Sequence, residues 1–96
     1  MYFVYILYST KSDKYYIGYT DDPERRLIEH NTSPRNTFTS KHRPWVSIIH
    51  FPISENRSDA IRVELFIKKQ KSKNFILKLL DQSYRSNLLA QLVRVP

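Results

Sequence analysis

The run YFVYILYSTKSDKYYIGYT, residues 2–20, decides how this chain folds. From Tyr2 to Tyr8 every residue is aromatic, β-branched or leucine, a composition that suits extended backbone. A polar stretch, Ser9 to Lys14, leads to a second run of the same kind from Tyr15 to Thr20, so the segment reads as a β-hairpin. Large apolar groups occupy both faces of both strands, and helices are therefore expected to cover the sheet front and back. A short turn within residues 9–14, with strand partners of opposite parity, would put Tyr5, Tyr16 and Gly18 on one face. Gly18 is the chain's single glycine. Inside a strand it marks a place where another backbone or a ligand comes close.

Beyond the hairpin, Asp21-Asp22-Pro23 is a helix start: a carboxylate at the cap, then proline where its missing N–H is harmless. The helix is expected to run from Pro23 to about Asn31. Residues 32–43, rich in Ser, Thr and Asn, with Pro34, Arg35, Lys41, His42 and Arg43, read as a mobile loop able to reach a phosphate backbone. Trp45 to Phe51 supplies a third strand bracketed by Pro44 and Pro52. Ser58 to about Gln70 carries the strongest helical periodicity, and two shorter amphipathic pieces follow near Asn74–Asp81 and Tyr84–Val93. The order is β, β, α, β, α with helical pieces after it. At 96 residues there is material for one core and not for two. The expected organisation is one domain over residues 1–82, with residues 83–96 as a helical extension packed on it.

Sixteen Lys and Arg against nine Asp and Glu give a formal charge of +7, which draws a small protein toward polyanions, nucleic acid above all. The same charge also serves plain solubility. The absence of cysteine excludes disulfides and thiolate-ligated zinc. The apolar start, Met1 to Leu7, is far shorter than the ~20 residues of a membrane span and lacks the features of a signal peptide. A cytoplasmic protein without membrane attachment is the expectation.

Three places set polar chemistry against apolar pattern. On a helical wheel Glu64 falls between Ala60 and Ile61, with Ile67 beside it, so its carboxylate sits within the apolar arc. It is either one half of an i,i+4 pair with Lys68 or a functional acid. Arg26 and His30 lie one turn apart on the side shared with Leu27 and Pro23, a pair able to grip a phosphate and move a proton. They could equally belong to a solvated face. Tyr5 and Tyr16 beside Gly18 could be core residues with hydroxyls at the rim, or the phenols of a site.

Phe3-Val4-Tyr5, Tyr16-Ile17-Gly18 eleven residues after the first tyrosine, Glu24-Arg25-Arg26-Leu27 leading to His30-Asn31, and then Glu64 together resemble the GIY-YIG nuclease family. The likeness covers about Met1 to Leu80. It is greatest to the small single-domain bacterial branch, with its Arg-Pro-Trp segment (Arg43-Pro44-Trp45) and its Ala-x-x-x-Glu followed by lysines (Ala60 to Lys69). It is similar, too, to the amino-terminal nuclease domain of the excision-repair endonuclease. The fold this implies is α+β, a three-stranded, largely antiparallel sheet flanked by helices. The roles it implies are Tyr5 as, or relaying to, a general base, and Tyr16 as a water-positioning phenol. Arg26 would steady the scissile phosphate, with His30 one turn on as a catalytic partner, and Glu64 would ligate metal. Gly18 belongs to the structural motif. The family's leading glycine is Phe3 here, and the asparagine some members carry beyond the glutamate is matched only loosely, by Asn74.

The expected activity is metal-dependent endonucleolytic hydrolysis of DNA, with structured or damaged DNA as the substrate class. One Mg²⁺ or Mn²⁺ would bind at a single site and weakly without substrate, because one carboxylate leaves most of the ion's shell to water and phosphate. Two-metal chemistry needs clustered carboxylates, and the remaining acids are scattered. Lys41, Arg43, Arg62, Lys68, Lys69, Lys71 and Lys73 are expected to contact the nucleic-acid backbone. The competing readings are a catalytically inactive nucleic-acid-binding module on the same scaffold and an adaptor that binds a protein partner.

Overall fold

The fold, a computed structural model, describes residues 1–35 and 37–93. Strands β1 (Tyr2–Ser9) and β2 (Lys14–Thr20) pair antiparallel, with Tyr5 opposite Gly18 and Leu7 opposite Tyr16. That register puts Tyr5, Tyr16 and Gly18 on one face, as the hairpin reading requires. The third strand, β3 (Trp45–Ser54), pairs antiparallel with the other side of β1, giving the order β2-β1-β3. It runs past Pro52 instead of ending at Phe51. Proline is tolerated there because β3 is an edge strand and Pro52 lies beside a register shift between Tyr2 and Phe3.

Alternation along β1 divides the core. Val4 and Ile6 face α3 (Arg57–Gln70), where they pack with Phe51, Val63 and Ile67, and with Ile76 of α4 (Lys73–Lys78) and Leu79. Tyr5 and Leu7 face the other way, onto Trp45, Tyr16 and Leu27 of α1 (Pro23–Thr32). Each fully buried Val, Leu or Ile contributes about 1.5–3 kcal/mol, so the α3 side carries more of the stability. Helix α5 (Gln82–Leu92) adds Leu88, Leu89 and Leu92 to that side. The two-sided cover and the α+β architecture agree with the expectation from sequence.

Helix starts are encoded in side chains. Asp22 accepts from Arg25 N, Asn56 from Ser58 N, Ser72 from Phe75 N and Asp81 from Tyr84 N. Asp81 therefore begins α5, and α4 ends at Lys78 instead of running on to Asp81. The segment read as a mobile loop is ordered by the same device. Thr37 and Ser40 form a capping box that starts α2 (Phe38–Lys41), and Trp45 Nε1 donates to Thr39 O at 2.8 Å. Polar composition alone suggested a loop because Ser and Thr satisfy backbone groups here without any apolar periodicity. Asn36 of that segment and residues 94–96 of the expected extension lie outside the described residues. Among the described residues no helix is long and apolar enough to cross a membrane.

Candidate active site

A cavity of about 370 Å³ is lined by Tyr5, Tyr16, Gly18, Tyr19 and Thr20 of the hairpin, by Arg25, Arg26 and Glu29 of α1, and by Glu64 of α3. Helices α1 and α3 cover opposite faces of the sheet. They can share a cavity only around an edge, and β2, whose residues line it, is that edge. Gly18 makes the arrangement possible. A Cβ at this position would lie 2.5 Å from Tyr5 Cζ and 2.9 Å from Cε1, so the bare backbone lets the phenol ring lie across β2. In this way the acid borne by α3 and the phenols of the hairpin meet in one concavity.

At its wall the Tyr5 hydroxyl is 2.8 Å from His30 Nε2 in a buried hydrogen bond, although His30 itself lines a neighbouring cavity, with Tyr16, Arg26 and Glu29, and not this one. The Tyr16 ring packs edge-on against His30, with centroids 4.7 Å apart. Burial, reinforced by the charges of Arg26 and Arg43, lowers the His30 pKa to about 4, so the imidazole is neutral at pH 7. Burial likewise raises the Tyr5 phenol well above its ordinary value, against a smaller opposing pull from the Arg26 guanidinium beside it. Arg26 Nη1 pairs with Glu29 Oε2 at 2.9 Å, and Glu29 Oε1 accepts from Arg25 Nε at 3.2 Å. The Glu64 side chain is 11% exposed, and its Oε1 accepts from Lys68 Nζ. Glu64 thus makes the i,i+4 ion pair expected from sequence while lining the cavity.

A family model described as the GIY-YIG catalytic domain matches residues 1–77. The chain belongs to the GIY-YIG family. A UPF0213 protein of Listeria welshimeri is 43% identical over 72 residues, 75% of this chain and 78% of the relative. One from Enterococcus faecalis is 46% identical, covering 67% of this chain and 76% of its own length. A third, from Halobacterium salinarum, is 35% identical across 72% of this chain and 87% of its own. The GIY-YIG match takes in the three strands and α1 to α3, with every residue named above for the cavity, and stops ahead of α5.

Two interactions hold the end of α1 in this GIY-YIG domain where His30 needs it. Asn31 Oδ1 accepts from Trp45 N at 2.8 Å while its Nδ2 donates to Trp45 O at 3.0 Å, tying the helix to β3. Arg43 Nε donates to His30 O at 2.7 Å and Nη2 to Ser33 O at 2.6 Å, satisfying carbonyls that a helix end leaves open. Arg43 was expected at the nucleic-acid backbone. Two of its five guanidinium N–H donors are engaged here as a clamp on α1.

The other basic residues are distributed unevenly. Lys41, Lys69 and Lys71 are exposed and have no ion pair among the described residues. Arg62 lies 3.5 Å from Asp59 and donates to Leu92 O, while Lys73 bonds Asp13 in the hairpin turn. Asn74 is exposed on α4 and does not line the cavity. Sequence reasoning did not single out Glu29, although the spacings Arg25-x-x-x-Glu29 and Arg26-x-x-Glu29 are those of helical ion pairs. It also passed over Arg25, Tyr19 and Thr20.

Glu64 is the cavity residue that could hold a cation. Among the described residues no three His, Cys, Asp or Glu side chains cluster as ligands. Both oxygens of Glu29 are engaged by arginines. Glu64 lines the cavity with no hydrogen bond to its second oxygen among the described residues, and a Mg²⁺ ion bound by one carboxylate would keep its remaining positions for water and phosphate.

Proposed function

We propose that this GIY-YIG domain hydrolyses a DNA phosphodiester with one divalent cation, Mg²⁺ or Mn²⁺, held at Glu64. The observation that carries the reading is the sharing of one cavity by Tyr5, Tyr16, Arg26 and Glu64, with His30 reaching it through its hydrogen bond to the Tyr5 hydroxyl. A bound divalent ion would supply Lewis-acid polarisation of the phosphate. The residues of the chain account for the rest.

Burial favours the protonated Tyr5 phenol, so its proton needs an acceptor, or the oxygen a nearby cation, before it can act as a base. His30 resolves the difficulty. In the tautomer that leaves Nε2 bare, the phenol donates to it, and the Tyr5 oxygen can take a proton from an attacking water as its own passes to His30. A base with its pKa near the working pH is worth about 10²–10⁴ in rate, and the lowered pKa of His30 puts this relay at the low end. Arg26, steered by Glu29, presents a planar guanidinium that suits two-point contact with a phosphate. Tyr16, packed against His30, orients the imidazole and closes that side of the cavity to bulk water. Lys41, Lys69 and Lys71 supply non-specific attraction to the nucleic-acid backbone.

The test is a cleavage screen over branched, flapped and lesion-bearing DNA with Mg²⁺, Mn²⁺ or chelator. Nicking is expected only with metal, and Glu64→Ala or Arg26→Ala should abolish it while binding persists. Variants that cut as well as wild type would refute the assignment. Tight, salt-sensitive binding by the wild type with no cleavage of any substrate would establish the inactive binding module instead.

A further inference from the structure

We infer that Lys68 is a resident cation of the Glu64 site, an internal competitor that a divalent ion must displace before the site can be loaded. The inference rests on the reading of Glu64 as a metal ligand. Glu64 sits among the buried residues Ala60, Val63 and Ile67 of α3, where an uncompensated carboxylate would be strongly disfavoured. Lys68, one turn along, is its hydrogen-bond partner among the described residues. The two ends of this pair differ in freedom. The Glu64 side chain is 11% exposed and fixed in the cavity wall, whereas Lys68 is 45% exposed. Its ammonium can withdraw into water at the small cost typical of an i,i+4 pair. Glu64 is therefore a fixed anion with an exchangeable counter-ion.

The two arginines that line the cavity, Arg25 and Arg26, are not placed for this role, because both pair with Glu29. With Lys68 at Glu64, a divalent ion arriving alone meets a carboxylate with one oxygen already hydrogen-bonded, and a neighbouring positive charge. A phosphate changes that balance, since it can ligate the ion and accept the displaced ammonium together. Metal loading thereby becomes coupled to the arrival of nucleic acid, and the protein avoids holding a reactive ion without substrate.

The experiment measures Mn²⁺ binding in the absence of nucleic acid, by electron paramagnetic resonance of the free ion. The proteins compared are the wild type, Lys68→Met, Lys68→Arg and Glu64→Gln, with circular dichroism melts to confirm folding. A unit charge ~5 Å from a divalent ion, screened as in bulk water, suffices for a roughly tenfold effect on affinity. Lys68→Met should therefore bind Mn²⁺ about tenfold more tightly than wild type. Lys68→Arg, which keeps the charge, should bind as weakly as wild type, and Glu64→Gln more weakly still. Equal or weaker binding by Lys68→Met overturns the inference, and if Glu64→Gln still lowers affinity the metal site itself stands. If no variant binds Mn²⁺ above the Glu64→Gln level, the metal assignment fails together with the role of Lys68.

Discussion

Replacing Gly18 by alanine tests whether the Tyr5 ring is held by the absence of a side chain beneath it. In an ordinary strand this change stabilises by about 0.5–1 kcal/mol, because glycine loses more freedom on folding. Here the added Cβ would sit 2.5 Å from Tyr5 Cζ and 2.9 Å from Cε1. Tyr5 is 3% exposed and its ring is flanked by His30 and Tyr16, so relief of the clash has to move the hydroxyl off His30. Overpacking of this kind costs about 1–3 kcal/mol, and loss of the buried Tyr5–His30 hydrogen bond adds about 0.5–1.5 kcal/mol. Against the glycine benefit, urea unfolding should show a net loss of about 1–3 kcal/mol. With the hydroxyl displaced from His30, turnover should fall by about 10²-fold or more. A double-mutant cycle isolates the cause: in a Tyr5→Leu background the ring is gone, and Gly18→Ala should be neutral or stabilising. Equal costs in both backgrounds, or a Gly18→Ala protein as stable and active as wild type, would refute the proposed role of the glycine.

The pH dependence follows from His30. Its folded pKa, about 4, lies below the ordinary 6.5, so the unfolded chain binds a proton between these values that the folded chain excludes, and stability falls as pH drops through this window. For this buried residue the loss from pH 7 to pH 4.5 should reach about 2–3 kcal/mol, and His30→Phe should flatten it in urea titrations at the two pH values. The acid limb of kcat/KM should accordingly lie near pH 4 instead of near 6.5, a profile that a His30 titrating normally would contradict. Arg43→Met removes two charge-assisted bonds to helix-end carbonyls and should cost about 2 kcal/mol by thermal melt. It should also lower turnover, because His30 loses its anchor. Replacing Lys41, Lys69 and Lys71 together by alanine should flatten the dependence of log affinity on log salt by about 2–3 in fluorescence anisotropy, with kcat at saturating DNA retained.

The parts of the fold that could be read from sequence are those governed by local chemistry. The hairpin announced itself by composition and its face assignment by parity, and α1 by Asp22 and Pro23. The convergence at Gly18 was legible only in outline. A lone glycine in a strand signals close approach, but not that the approaching group is the ring of Tyr5. What escaped detection depends on pairings distant in sequence. Arg43 carries the charge of a phosphate contact, yet its donors reach carbonyls 10 and 13 residues earlier. Helix α2 was hidden because its order comes from Thr37, Ser40 and the Trp45 indole and not from apolar spacing. At Glu64 the wheel posed the right alternatives, and only the three-dimensional arrangement shows that the ion pair and the cavity position coexist.

The central claim is that groups from opposite faces of the sheet act on one phosphate at the edge of β2. Its most direct measurement is a crystal structure with Mn²⁺ and a non-hydrolysable phosphorothioate oligonucleotide, read by anomalous scattering. The expected result is a single manganese at Glu64, displaced from Lys68, with a phosphate bridging it to Arg26 beneath the Tyr5 hydroxyl. A manganese bound elsewhere, or a phosphate that contacts Arg26 without reaching the ion at Glu64, would contradict it.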